Sequence, residues 1–156
     1  MKTFLEFKGQ SLPHDRYALI AGRWHSQVVD ALIQGAHDYL IHTGGQASQL
    51  EVLRVPGAFE VPQAARWVMQ EQRHAGLVVL GCIVQGDTPH FDVLTHSVME
   101  AIQTLALEGP LPLTCGILTV HTLAQAEARA QQDSNNKGWE AMAALLEMIE
   151  LQRSRS

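Results

Sequence analysis

Hydrophobic positions along this chain alternate between short unbroken runs and stripes spaced three or four residues apart. The run Tyr17-Ala18-Leu19-Ile20-Ala21 has the character of a strand buried on both faces. Val28, Val29, Leu32, Ile33, Ala36, Tyr39 and Leu40 then recur at helical spacing, and Gly44-Gly45 stops them. Residues 50–55 read as a second strand, broken by Pro56-Gly57. Ala64, Ala65, Trp67, Val68 and Met69 predict a helix with Pro62 in its first turn, where its missing N–H costs nothing. Residues 77–84 give the strongest strand signal. Phe91, Leu94, Val98, Ile102 and Leu105 predict the helix that follows, ended by Gly109-Pro110. Residues 113–119 form the fourth strand candidate. Residues 123–130 are helical, 131–136 are a polar break, and Trp139, Met142, Leu146 and Ile149 mark a last helix with one apolar stripe.

Strand and helix repeated in this way imply right-handed βαβ crossovers, hence a parallel sheet of about four strands with helices on both faces. The 156 residues fit one domain, 1–156, with 1–15 as an N-terminal arm. In such sheets ligands bind at the carboxyl ends of the strands. The informative segments are therefore Gly22-Arg23-Trp24-His25, Pro56 to Glu60, Gln85 to His90, and Val120-His121.

Composition narrows the classes of function. Hydrophobic residues make up 46% and charged residues 17%, as in a folded soluble domain. No apolar run reaches membrane-helix length, and the first ten residues lack a secretory signal's apolar core, so the expected location is the cytoplasm. The formal charge is −5, which disfavours nucleic acid as a partner because phosphate-backbone binding needs a basic stripe. The two cysteines, Cys82 and Cys115, lie in apolar stretches and read as buried, reduced thiols. No Cys/His spacing expected of a metal site occurs among the residues, and none of the eight histidines forms an HExxH pair.

Gly86-Asp87-Thr88-Pro89-His90 follows the best strand and opens a helix. Backbone N–H groups there, with the Thr88 hydroxyl, make an anion pocket; the plainer reading is a βα turn capped by Asp87 or Thr88. The GK[ST] of a nucleotide loop and the GxGxxG of a dinucleotide fold are both missing, so the anion would be a small phosphate ester. His90 is a candidate acid–base group, or a solvated first-turn histidine. Trp24 can stack on a flat heterocycle or close the rim of the core. Phe59 offers the same choice, with Glu60 an acceptor for hydroxyls or a helix-start carboxylate. Arg129 and Lys137 flank the polar break and could hold a phosphate or form a solvated face. His25 and His121 read as loop histidines, and Trp67 and Trp139 as packing residues.

Taken together, Arg23-Trp24, Val55-Pro56-Gly57-Ala58-Phe59-Glu60-Val61-Pro62, Gly81 to Asp92 (GCIVQGDTPHFD), Gly116-Ile117-Leu118-Thr119 and Asn136-Lys137-Gly138 resemble the lumazine synthase family in order and over nearly the whole chain. The resemblance implies a flavodoxin-like three-layer α/β/α sandwich with a four-stranded parallel sheet. It implies condensation of 5-amino-6-(D-ribitylamino)uracil with 3,4-dihydroxy-2-butanone 4-phosphate, without cofactor or metal. It also implies homo-oligomers built from pentamers, some stacked as decamers or closed as shells, with active sites shared between neighbours. On the matching positions, Trp24 stacks on the pyrimidinedione. Ala58, Phe59, Glu60, Cys82, Ile83 and Val84 hold the ribitylaminouracil, with Cys115 contributed by the neighbour. Asp87, Thr88, Arg129 and Lys137 attend the phosphate, and His90 moves protons.

Three departures stand out. Cys115 occupies a position often held by Phe, residues 130–135 replace a glycine-rich bend, and Trp24-His25 is similar to a decamer-forming branch. A non-catalytic flavin- or lumazine-binding protein of the same fold is the alternative. His90 and Arg129 together favour the enzyme.

Overall fold

The computed structural model describes residues 4–156. Four strands, β1 (Tyr17–Gly22), β2 (Leu50–Val55), β3 (Gly76–Val84) and β4 (Leu113–Val120), form one sheet in the order β2-β1-β3-β4, and every pair is parallel. Five helices connect and follow them: α1 (Ser26–His42), α2 (Val61–Glu71), α3 (His90–Glu108), α4 (Leu123–Ala128) and α5 (Lys137–Ser154). Three-residue 3₁₀ turns at Ala47–Gln49 and Ala58–Glu60, which no apolar periodicity announces, precede β2 and α2.

Because side chains alternate across a strand, each central strand feeds two cores. Tyr17, Leu19 and Ala21 of β1, with Val78, Leu80 and Cys82 of β3, pack under α1 and α5. Ala18, Ile20, Leu77, Val79 and Ile83 pack under α2 and α3. The result is the expected three-layer α/β/α arrangement. The expected strands and helices all occur, with ends shifted by a few residues; α4 stops at Ala128 rather than continuing to Ala130, with Arg129 as its C-cap.

Trp139 packs as expected, edge-on to Tyr39 with ring centroids 5.1 Å apart. Trp67 does not. Val61, Ala65, Val68 and Met69 take the core-facing side of α2 and leave Trp67 59% exposed beside Phe59 and Arg66. The thiols also differ from expectation, since Cys82 is buried but Cys115, on an edge strand, is only half-buried.

Of the N-terminal arm, residues 1–3 lie outside the described residues. From Gly9 the arm is tied to its own chain. Gly9 and Gln10 donate backbone N–H groups to the Glu150 carboxylate, and buried Gln49 donates to the carbonyls of Leu12 and Asp15. Ahead of Gly9, Phe4 and Leu5 are exposed.

Candidate active site

The chain runs from β1 outward to β2, then back past β1 to β3. The crossovers after β1 and β2 therefore leave on opposite faces, and a crevice opens between the carboxyl ends of β1 and β3, the place where open α/β sheets take their ligands. A cleft of about 350 Å³ lies there. Trp24 and His25 enter it from the end of β1, Ala58 from the turn after β2, and Cys82, Ile83, Val84, Thr88 and His90 from the end of β3 and the loop beyond.

Each residue is placed by local chemistry. His25 has φ 58°, a left-handed backbone uncommon outside glycine, and this sharp corner turns β1 into α1 directly after Trp24. Trp24 is 72% exposed and rests on the peptide of Gly57, where a β-carbon would approach its Cδ1 to 2.8 Å. Gly57 is thus small for a reason: a side chain there would collide with the indole. The loop after β3 is open, with nothing within 4 Å of the β-carbon direction of Gly86. Its helix, α3, has Pro89 at the N-cap and no side-chain cap. The nearest substitute is Thr88, whose Oγ1 is 3.4 Å from the N–H of His90. Beyond that one bond no side chain caps this 19-residue helix, so the N–H groups that follow His90 can meet an anion. Burial pushes the Cys82 thiol up to about 11, so it lines the cleft as a neutral apolar group.

The remaining candidates lie elsewhere in the chain. Phe59, 69% exposed, faces a separate groove of about 880 Å³ between α2 and α3, with Trp67 and Arg66. Glu60 is half-buried at the N-cap of α2. Asp87 is exposed in the loop and does not line the cleft.

Cys115, Arg129 and Lys137 do not line the cleft either. Cys115 pairs in register with Val79, three positions before the Cys82–Leu118 pair, which puts it about 10 Å down the strand from the cleft. Its Sγ is 3.9 Å from the Met99 sulfur. Burial raises its thiol, an effect opposed by a backbone hydrogen bond at Ile117 and by the nearby charge of Lys137. Arg129 donates to Glu140 at 3.0 Å, and Lys137 stands 3.8 Å from the same carboxylate. Sequence reading missed Glu140 as the residue that orients both cations; its i,i+3 spacing from Lys137 was the available signal. It also missed His25 as a cleft residue, because a left-handed corner has no periodicity.

An open, doubly wound α/β sheet with a cleft at its switch point, apolar in the main with a few polar groups, defines a class of small-ligand-binding enzyme folds. Residues 14–153 match the family profile described as 6,7-dimethyl-8-ribityllumazine synthase. The chain is similar to proteins of that name from Nautilia profundicola, 37% identical over 97% of each chain, and Helicobacter hepaticus, 36% identical over 97% of each. A relative of the same name from Xanthomonas campestris is 38% identical over 87% of this chain and 88% of its own. The chain belongs to the 6,7-dimethyl-8-ribityllumazine synthase family, and with it to the transferases of riboflavin biosynthesis.

Proposed function

We propose that the chain condenses 5-amino-6-(D-ribitylamino)uracil with 3,4-dihydroxy-2-butanone 4-phosphate to form 6,7-dimethyl-8-ribityllumazine. The observation that carries this reading is one cleft holding an exposed indole, the backbone of β3's end, an uncapped helix start and an imidazole. The uracil ring stacks on Trp24 and is read by the backbone of Cys82, Ile83 and Val84. Ala58 borders the ring, and the turn it opens, with Glu60, leads toward the ribityl chain, while Phe59 itself faces the groove between α2 and α3. The phosphate sits against the α3 N-terminus and Thr88, with Asp87 shaping the loop.

The amine attacks the ketone, water leaves to give an imine, phosphate is eliminated, and the second amine closes the ring with loss of another water. His90 accepts and returns protons in these steps. No electron changes hands, so a redox cofactor has no task. Holding two substrates in register supplies much of the rate, with effective molarities of roughly 10⁵ M or more for well-oriented pairs.

One chain holds half of this site. Arg129 and Lys137, oriented by Glu140, and Cys115 on β4 do not line the cleft of the same chain. A neighbour's β4 edge laid over the cleft would bring two cations to the phosphate and Cys115 to the ring, which is the pentameric arrangement. The two free cysteines suit a reducing, cytoplasmic setting.

Mixing tests the shared site. Arg129→Ala and His90→Ala chains are dissociated, combined in equal amounts and reassembled. Random pairing leaves about a quarter of the interfaces with both residues intact, so activity should return toward that fraction of wild type. Mixed particles, proven by mass spectrometry, that stay as inactive as each parent would refute the shared site.

A further inference from the structure

His121 lies at the end of β4, outside the residues that line the cleft, yet it touches both ends of the loop that carries Thr88 and His90. That loop leaves β3 at Gln85 and enters α3 at His90-Phe91. Nδ1 of His121 pairs with Oε1 of Gln85, the residue that enters the loop. The His121 ring packs on Phe91, the residue that leaves it, with centroids 6.1 Å apart and planes at 46°. Phe91 in turn lines the cleft and packs into the core beneath α2 and α3. Because the partner on Gln85 is an amide oxygen, Nδ1 of His121 is the donor.

The anchor itself is firm. The His121 and Thr122 N–H groups both donate to Oε1 of Gln125, at 2.8 and 3.2 Å, and Thr122 Oγ1 accepts from the Gln125 N–H at 3.2 Å. The loop is not. Gly86 is unpacked, α3 has no side-chain cap, and Thr88 offers one long hydrogen bond of 3.4 Å.

We propose that His121 is a positioning residue, which fixes the Gln85–His90 loop through Gln85 and Phe91 and so aligns His90 and the α3 N-terminus with the bound substrates. The proposal rests on the role given to His90 above. A displacement of about 1 Å in a catalytic group can cost on the order of 100-fold, which sets the scale of the effect.

The test compares His121→Ala, His121→Asn, Gln85→Ala and the His121→Ala/Gln85→Ala pair, with His90→Ala as reference. His121→Ala should lower kcat about 10- to 100-fold while KM for the ribityl substrate changes little. His121→Asn, which keeps a donor for Gln85, should recover part of that loss. The double variant should be no worse than the poorer single one, since both residues form one clasp. Hydrogen exchange supplies a readout independent of activity: the amides of Gln85 and Val93, bonded to Val120 O and Pro89 O at the two ends of the loop, should exchange faster in His121→Ala while those of β1 stay protected.

Unchanged exchange at Gln85 and Val93, or equal loss of protection in β1, overturns the clasp. So does full turnover in His121→Ala when His90→Ala is impaired. If His90→Ala itself turns over normally, the reading of His90 fails instead, and exchange alone then decides the clasp.

Discussion

The side-chain carboxamide of Asn136 fills the space that a β-carbon on Gly35 would occupy. Asn136 is fully buried. Its Oδ1 accepts from the N–H groups of Gly138 and Trp139, at 2.8 and 3.1 Å, capping α5, while its Nδ2 donates to Ala31 O on α1 at 3.1 Å. Gly138 lies equally close to the Leu32 carbonyl. This contact docks the start of α5 on α1 and so places Lys137 and Glu140, and Arg129 through Glu140, on the β4 edge.

Gly35→Ala should destabilise the protein, although helix propensity alone would favour alanine by about 1 kcal/mol. The carboxamide it meets is held by three hydrogen bonds and cannot move aside cheaply, so overpacking of about 1–3 kcal/mol decides the sign. A lower midpoint in urea is expected; a raised one would show that the contact is slack.

His90→Ala should slow lumazine formation by roughly 10²- to 10⁴-fold, the range for general acid–base groups, and leave the thermal midpoint within a degree or two because the ring is exposed. Steady-state turnover equal to wild type would remove His90 from the mechanism.

Trp24→Ala should weaken binding of the ribityl substrate about 2- to 12-fold, corresponding to the roughly 0.5–1.5 kcal/mol of an aromatic pair beyond its area. Titration calorimetry gives the affinity directly. Equal affinity in the variant would mean that the ring stacks elsewhere.

Acid stability should depend on Glu51. Its carboxylate lies 2.7 Å from Nε2 of His74, whose side chain is fully buried at the entry to β3. That hydrogen bond, with further help from the charges of His74, Arg73 and Arg16, holds the Glu51 carboxyl below its ordinary 4.5, against the opposing effect of burial. A carboxyl with a lowered folded value contributes stability above pH 4.5 that is lost as pH falls through that lowered value. Urea midpoints of wild type and Glu51→Gln should therefore differ at pH 7 and converge in acid. A gap that persists undiminished at the lowest pH would assign the effect to packing.

Cys82 should be inert to iodoacetamide at pH 8, because only the thiolate reacts and burial keeps the thiol neutral up to about 11. The raised value also has a sign for stability. Folding gains nothing from this group below the ordinary value of 9, and the unfolded chain, free to ionise, is favoured as pH climbs from 9 toward 11. Relative to a Cys82→Ala chain, the wild type should lose stability across that window. Rapid alkylation of native Cys82 at neutral pH would contradict the buried placement.

The four strands, the main helices and the loops at the strand ends were legible in the chain itself, because period, length and Gly/Pro punctuation are local properties. Residues 50–55 are a strand as read, and the turn after residue 84 opens a helix as read. The family motifs placed the cleft residues at those same strand ends. What only the tertiary structure decided concerns side chains that meet across long separations: Asn136 against Gly35, His121 on Gln85 and Phe91, and Glu140 between Arg129 and Lys137. It also turned Trp67 and Phe59 outward into a groove, where apolar character alone had pointed to packing for Trp67. The reason is that periodicity says which face of an element is apolar, whereas the partner each face meets depends on how β2-β1-β3-β4 are ordered and which layer each helix joins.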